Sequence, residues 1–128
     1  ADFGVWFPLM NPDLLSKIDQ FRDYLQMPVI VSPAAGALGR MGREGSEHYP
    51  KPLVNAIDLM VKGASMSLLY DAARFIGFHG IGLYPDWKPY PGIHLDLRAD
   101  RTEQNPALWS GIKTAKGQEY FNIERAFT

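Results

Sequence analysis

Six consecutive residues, Ile93–Arg98, constrain the fold of this chain more than any other stretch. They alternate between apolar and polar side chains without a break. Because successive side chains of a β-strand point to opposite faces of a sheet, the alternation predicts a strand with one face in the core. His94, Asp96 and Arg98 then line the other face. An imidazole, a carboxylate and a guanidinium in one row indicate a functional site rather than a purely structural strand.

Length and composition predict one soluble domain spanning residues 1–128. The chain is 46% hydrophobic and 21% charged, which is ordinary for a globular protein. A net charge of −1 gives no electrostatic argument for nucleic acid as a partner, and no apolar run has the length of a membrane span. Since there is no cysteine, any metal must be held by His, Asp and Glu side chains.

The remaining elements are predicted from periodicity and capping residues. A helix is expected from Asn11-Pro12 to about Gln26, because Asn is a good cap and Pro suits the first helical position. A second helix is expected after the capping residue Ser65. Strands are expected at residues 28–32 (short and buried), 54–61, 80–85 and near 108–109, a long Gly-rich loop at 33–50, and a helix at 118–126. The order of elements predicts an α+β fold, with helices packed on one side of a mostly antiparallel sheet.

Two of the three histidines suggest a metal site. His48 and His94 each stand beside a carboxylate, and Asp58 lies on an otherwise apolar strand, where an unpaired charge would be costly. Two imidazoles and one carboxylate suit zinc. On spacing alone, a zinc site and a set of ion pairs with Arg40, Arg43 or Arg98 are equally compatible with these residues.

The order of these motifs resembles the zinc D-Ala-D-Ala carboxypeptidase family of peptidoglycan peptidases. The resemblance rests on Ser46-x-His48, Ala56-x-Asp58, Gly80-Ile81-Gly82-x-Tyr84, His94-x-Asp96-x-Arg98 and Trp109. It is strongest to the subgroup whose last metal histidine lies in a His-x-Asp-x-Arg strand. It covers roughly residues 28–110.

The resemblance implies a hedgehog/DD-peptidase-like fold with zinc held by His48, Asp58 and His94. It also implies hydrolysis of a peptide bond in the cell-wall stem peptide, by a D,D-carboxypeptidase or an endopeptidase. The expected protein is a monomer of the bacterial periplasm or cell envelope, or a phage-encoded lysin acting on the host cell wall.

Two departures from the family pattern favour an alternative. The family usually has seven residues from its first histidine to its aspartate, whereas His48 and Asp58 are ten apart. The acid that many relatives carry three residues before the last histidine is Pro91 here. The alternative is a non-catalytic domain that keeps the fold and serves in cell-wall binding or in a phage structure.

The roles of the other polar residues stay open at this point. Asp96 is expected in the site as general base or as the partner that orients an imidazole, with Glu47 and Asp86 as competing bases. Arg98 is expected to bind a substrate carboxylate or to form an ion pair, and Arg40 could take the substrate role instead.

His79 is expected to be structural rather than a ligand. The aromatic residues Trp87, Tyr90 and Trp109 are expected to form either a substrate platform or part of the core.

Overall fold

The fold consists of a six-stranded mixed sheet and two α-helices, as seen in a computed structural model that describes residues 10–32 and 54–128. In chain order the elements are α1 (Pro12–Leu25), β1 (Val29–Val31), β2 (Ala56–Val61), α2 (Met66–Ile76), β3 (Gly80–Tyr84), β4 (Gly92–Asp96), β5 (Ala107–Thr114), β6 (Gly117–Phe121) and a 3₁₀ helix (Ile123–Phe127). The predicted α+β class is confirmed.

The strands lie in the order β1-β2-β4-β3-β5-β6. Among these strands, only β3 and β5 run parallel, and every other neighbouring pair is antiparallel. β3 and β4, which follow each other in the chain, form an antiparallel pair. β2 and β3 flank β4, so the strand with the alternating pattern lies in the middle of the sheet, where its backbone is hydrogen-bonded on both sides.

Both helices begin at the predicted caps. The Asn11 side chain accepts a hydrogen bond from the amide of Asp13, and the Ser65 hydroxyl accepts one from the amide of Leu68. These bonds satisfy backbone donors that have no partner inside the first helical turn. α2 ends at Gly77, whose φ of 94° is the left-handed conformation that favours glycine.

The core lies between the helices and one face of the sheet. From the sheet it receives side chains at alternate positions of the three central strands, namely Ile57, Leu59, Ile81, Leu83, Ile93 and Leu95, and from α1 it receives Leu14, Ile18, Phe21 and Leu25. The apolar half of the alternating strand thus faces the core, which leaves its polar half on the opposite face of the sheet.

β1 is not the buried strand that its apolar run predicts. In the described sheet it lies at the edge and pairs only with β2, and Ile30 is 37% exposed. A continuous apolar run indicates burial on both faces, but a three-residue strand at the edge of the sheet packs on the core through Val29 and Val31 only.

The helix expected over residues 118–126 is wrong. This part of the chain forms β6 and then the short 3₁₀ helix Ile123–Phe127, and the strand expected near residues 108–109 extends to Thr114. Gly117, with φ of 97°, reverses the chain so that β6 pairs back onto β5. The prediction failed because the backbone hydrogen bonds of residues 117–121 are made to β5, and the local sequence pattern does not show this pairing.

The Gly-rich loop expected at residues 33–50 lies outside the described residues. Across the described ranges, no helix is both long enough and apolar enough to cross a membrane.

Candidate functional site

The polar face of the sheet is organised in rows, because paired residues of neighbouring strands point their side chains the same way. One row consists of Asp58 on β2, His94 on β4, Gly82 on β3 and Trp109 on β5. The adjacent row consists of Ala56, Asp96, Gly80 and Ala107 in the same strand order. We call this face of strands β2–β5 the site face.

Two glycines on β3 make room for the functional side chains of the site face. A Cβ atom at Gly80 would lie 2.3 Å from a carboxylate oxygen of Asp96, and one at Gly82 would lie 2.5 Å from the Trp109 ring. Glycine inside a strand often marks such a close approach. The Gly80-Ile81-Gly82 sequence therefore lets Asp96 and Trp109 lie flat on the sheet.

The imidazole of His94 lies between two carboxylates. Its Nδ1 is 3.0 Å from Oδ1 of Asp58, and its Nε2 is 2.7 Å from Oδ2 of Asp96. His94 and Asp58 are each only 8% exposed, and Asp96 is fully buried. Since an ionised carboxylate only accepts hydrogen bonds, both ring nitrogens donate, and the ring carries a positive charge.

Arg98 binds the same buried carboxylate. Its Nε lies 3.0 Å from Oδ1 and its Nη2 lies 2.7 Å from Oδ2 of Asp96, while its backbone amide donates to Oδ1 at 3.1 Å. This forked arrangement is the strong form of an arginine–carboxylate pair. Asp96 is therefore held by a guanidinium, an imidazole and a backbone amide together.

The network changes the acidity of its members. Burial by itself lowers the pKa of His94, but hydrogen bonds and charge from Asp58 and Asp96 outweigh it and raise the pKa to about 9. Burial raises the pKa of Asp96, but its bonds to His94 and Arg98 outweigh that effect and hold the pKa well below the usual range. Both effects favour the fully charged network.

Aromatic residues border the network on one side. The centroid of the Trp109 ring lies 5.0 Å from the centroid of the His94 ring and 5.2 Å from the guanidinium carbon of Arg98. Nε1 of Trp109 donates to the hydroxyl of Tyr84 at 2.8 Å. Trp87 stacks on Tyr84 at 4.1 Å. Trp109 is only partly buried, so its ring belongs to the site rather than to the core between helices and sheet.

Ser32 borders the site face at a position that the sequence analysis did not single out. Its amide donates to the carbonyl of Asp58, which places it at the end of the row that holds Asp58 and His94, and it is buried. A single serine after a short apolar run carries no signal that could have revealed this position.

The structure brings together four of the predicted site residues: Asp58, His94, Asp96 and Arg98. Nδ1 of His79 lies 2.9 Å from the Arg98 carbonyl oxygen instead, in agreement with a structural role. The carboxylate of Asp86 accepts from the amide of Lys113.

The predicted residues His48, Arg40, Arg43 and Glu47 lie outside the described ranges. Within residues 10–32 and 54–128, no group of three or more His, Asp or Glu side chains is arranged to hold a metal. The described site contains one imidazole, that of His94, and two carboxylates, those of Asp58 and Asp96.

Comparison with protein-family models, with curated proteins and with solved structures finds no match to this chain.

Proposed function

We propose that this chain is a zinc-dependent peptidase with a hedgehog/DD-peptidase-type fold, which hydrolyses a peptide bond of the bacterial cell-wall stem peptide. The mixed sheet, the motif order described above and the geometry of the site face support the proposal. An enzyme of this class acts in the periplasm or cell envelope, or on a host cell wall if a phage encodes it.

One observation carries the metal site. Oδ1 of Asp58 and Nδ1 of His94 face each other at 3.0 Å on directly paired strands. Two ligands of a tetrahedral zinc ion lie about 3.3–3.4 Å apart at ordinary bond lengths. A change of a few tenths of an ångström is within the reach of side-chain rotation, so this pair fits zinc as two of its ligands.

Asp96 supports this assignment as a positioning residue. When its carboxylate accepts a hydrogen bond from Nε2 of His94, the lone pair of a neutral imidazole is left on Nδ1, the atom that faces Asp58. Metal-binding histidines commonly have a carboxylate on the other ring nitrogen. The full burial of Asp96 and its pairing with Arg98 favour this role over that of general base.

Three protein ligands are typical of catalytic zinc, and His48 is the third in the motif order. When bound, zinc polarises a carbonyl group and lowers the pKa of water. Since Asp96 is engaged, the proton transfer falls to another acid. Glu47 is our candidate, because the carboxylate of Asp86 is bonded to a backbone amide.

Arg98 is also engaged with Asp96, which favours the ion-pair interpretation over a direct grip on substrate. We therefore assign recognition of a substrate carboxylate to Arg40. A guanidinium suits that role because it binds a carboxylate through two parallel hydrogen bonds.

Two measurements test the proposal. Zinc content is measured on purified protein, and purified cell-wall sacculi are digested with and without a chelator while the fragments are identified by mass. We expect one zinc per chain and chelator-sensitive release of peptide fragments, with both lost in Asp58→Asn and His94→Gln. His79→Asn is the matched control, because its amide can replace the bond to the Arg98 carbonyl oxygen, and it should keep zinc and activity.

A non-catalytic domain is the second candidate, and the charge balance of the network favours it. Protonated His94 and Arg98 offset Asp58 and Asp96, so these four groups are neutral together without a metal. Stoichiometric zinc without cleavage of any sacculus bond would favour a structural metal site. Absence of zinc together with chelator-insensitive stability would favour a domain held by ion pairs alone.

A further inference from the structure

The side chain of Trp109 contacts both groups that bind Asp96. Its ring lies 5.0 Å from that of His94 at an interplanar angle of 50°, and 5.2 Å from the guanidinium carbon of Arg98. Its only ring nitrogen donates to the hydroxyl of Tyr84 at 2.8 Å. The indole is thus held at one edge, and its ring packs against His94 and Arg98.

The hydrogen bonds of His94 do not act alone on its ring. Bonds from Nδ1 to Asp58 and from Nε2 to Asp96 hold two atoms of the ring, and the covalent bond from Cβ to Cγ holds a third. Rotation about the side-chain torsions χ1 and χ2 displaces both nitrogens and strains both hydrogen bonds. Trp109 packs against the ring and restricts this rotation.

The backbone is shaped to let Trp109 take this position. Gly82 lies between His94 and Trp109 in the row, and a Cβ on it would collide with Nε1 and Cε2 of the indole at 2.5 Å. Only a residue without a side chain lets the indole lie across β3 and reach the imidazole on β4.

We propose that Trp109 is a positioning residue that holds the His94 imidazole and the Arg98 guanidinium in the orientation in which both bind Asp96. Its effect on ring orientation stands on these contacts alone, whereas its effect on zinc affinity rests on the proposed function.

The first test uses metal-free protein labelled with ¹⁵N-histidine and follows the ring N–H signals of His94 by NMR. We expect two slowly exchanging N–H protons on this ring in the parent protein. In Trp109→Leu they should exchange faster, and Trp109→Phe should restore part of the protection because it keeps a ring over Gly82. Trp87→Phe is the matched control, since Trp87 stacks on Tyr84, and it should leave the signals unchanged.

Unchanged exchange in a folded Trp109→Leu variant would overturn the proposal. If that variant does not fold, Tyr84→Phe decides, because it removes only the hydroxyl that accepts from the indole. Faster exchange of the His94 protons in Tyr84→Phe supports the proposal, and unchanged exchange overturns it.

The second test measures zinc binding by calorimetry with zinc alone as the probe. Loss of a group that orients a metal ligand typically weakens affinity by about tenfold or more, and we expect that change in Trp109→Leu with none in Trp87→Phe. If the parent protein binds no zinc, the proposed function fails, while the NMR result still decides the role of Trp109.

Discussion

At the scale of single residues, the site depends on positions that have no side chain. Gly80 and Gly82 lie beneath Asp96 and Trp109, and both lack the Cβ atom that would push these groups away from the sheet. The polar residues of the site can be recognised in the sequence, but the space for their side chains is provided by the two glycines on the neighbouring strand β3.

Gly82→Ala should destabilise the protein by about 1–3 kcal/mol, the usual cost of forcing extra volume into a packed site. The added methyl group meets the Trp109 ring, so the double variant Gly82→Ala/Trp109→Leu should lose less stability than the two single changes added together. Urea denaturation of the four proteins measures both quantities. Simple additivity would show that the two side chains do not meet.

The pKa of His94 predicts how the stability of the chelator-treated protein varies with pH. This pKa is raised from 6.5 to about 9 in the folded state, so the protonated ring stabilises the fold fully below about pH 6.5. That contribution is lost as the pH rises to about 9. Thermal unfolding across this range should show a falling midpoint in the parent protein and a flatter profile in His94→Gln.

The lowered pKa of Asp96 predicts that the stability of the protein also falls at acid pH. Its pKa is lowered from 3.8 in the folded state, so its contribution is present above about pH 4 and is lost as the pH falls further. Asp96→Asn should flatten this acid limb, and it should also make the alkaline limb shallower, because it removes one of the two carboxylates that raise the pKa of His94. A parent protein with equal midpoints at pH 3 and pH 5 would contradict this.

At the scale of elements, the Asn11 side chain helps to tie the start of α1 to the chain that leads into β2. The Asn11 side chain accepts from the Asp13 amide through its oxygen and donates through its nitrogen to Asn55, just before β2, at 2.9 Å. One amide group therefore serves as both helix cap and tether.

Asn11→Ala should cost about 1–2 kcal/mol, because it removes the cap and the tether together. Asn11→Asp should cost less, because its carboxylate keeps the cap and only the hydrogen bond to Asn55 is lost. Urea denaturation compares the two variants, and an equal loss in both would assign the whole effect to the tether.

Elements with a strong local signal were predictable from the sequence. The Asn11 and Ser65 caps are predicted from a few neighbouring residues, and both are confirmed. The alternation of Ile93–Arg98 predicts a strand that is confirmed as far as Asp96, where β4 ends. β6 was not predictable in the same way, because its strand conformation depends on pairing with β5 after the turn at Gly117.

At the scale of the whole molecule, the site is a product of strand register. Asp58 and His94 are 36 residues apart and become neighbours only because β2 and β4 pair in one particular alignment. The sequence alternation predicts that His94, Asp96 and Arg98 share a face. It contains nothing that places Asp58 opposite His94, and that expectation came from the family resemblance.

Zinc should stabilise the whole fold if the proposed site is real. A ligand at one hundred times its dissociation constant adds about 2.7 kcal/mol to the free energy of unfolding. We expect such a gain on adding zinc to chelator-treated protein and none in Asp58→Asn, measured by urea denaturation at pH 7.5. An equal gain in both proteins would place the binding of zinc elsewhere.

If the proposed metal site is real, the direct pairing of β2 with β4 would also limit which ions it accepts. The Asp58 and His94 side chains leave neighbouring strands that are paired with each other, so only side-chain rotation can change the distance between Oδ1 and Nδ1 unless the ladder opens. Calcium needs six to eight oxygen donors at longer bond lengths, which a carboxylate and an imidazole on locked strands do not offer. Discrimination between cations would then come from the type and spacing of these two donors, and substitutions that loosen the pairing of β2 with β4 should weaken it.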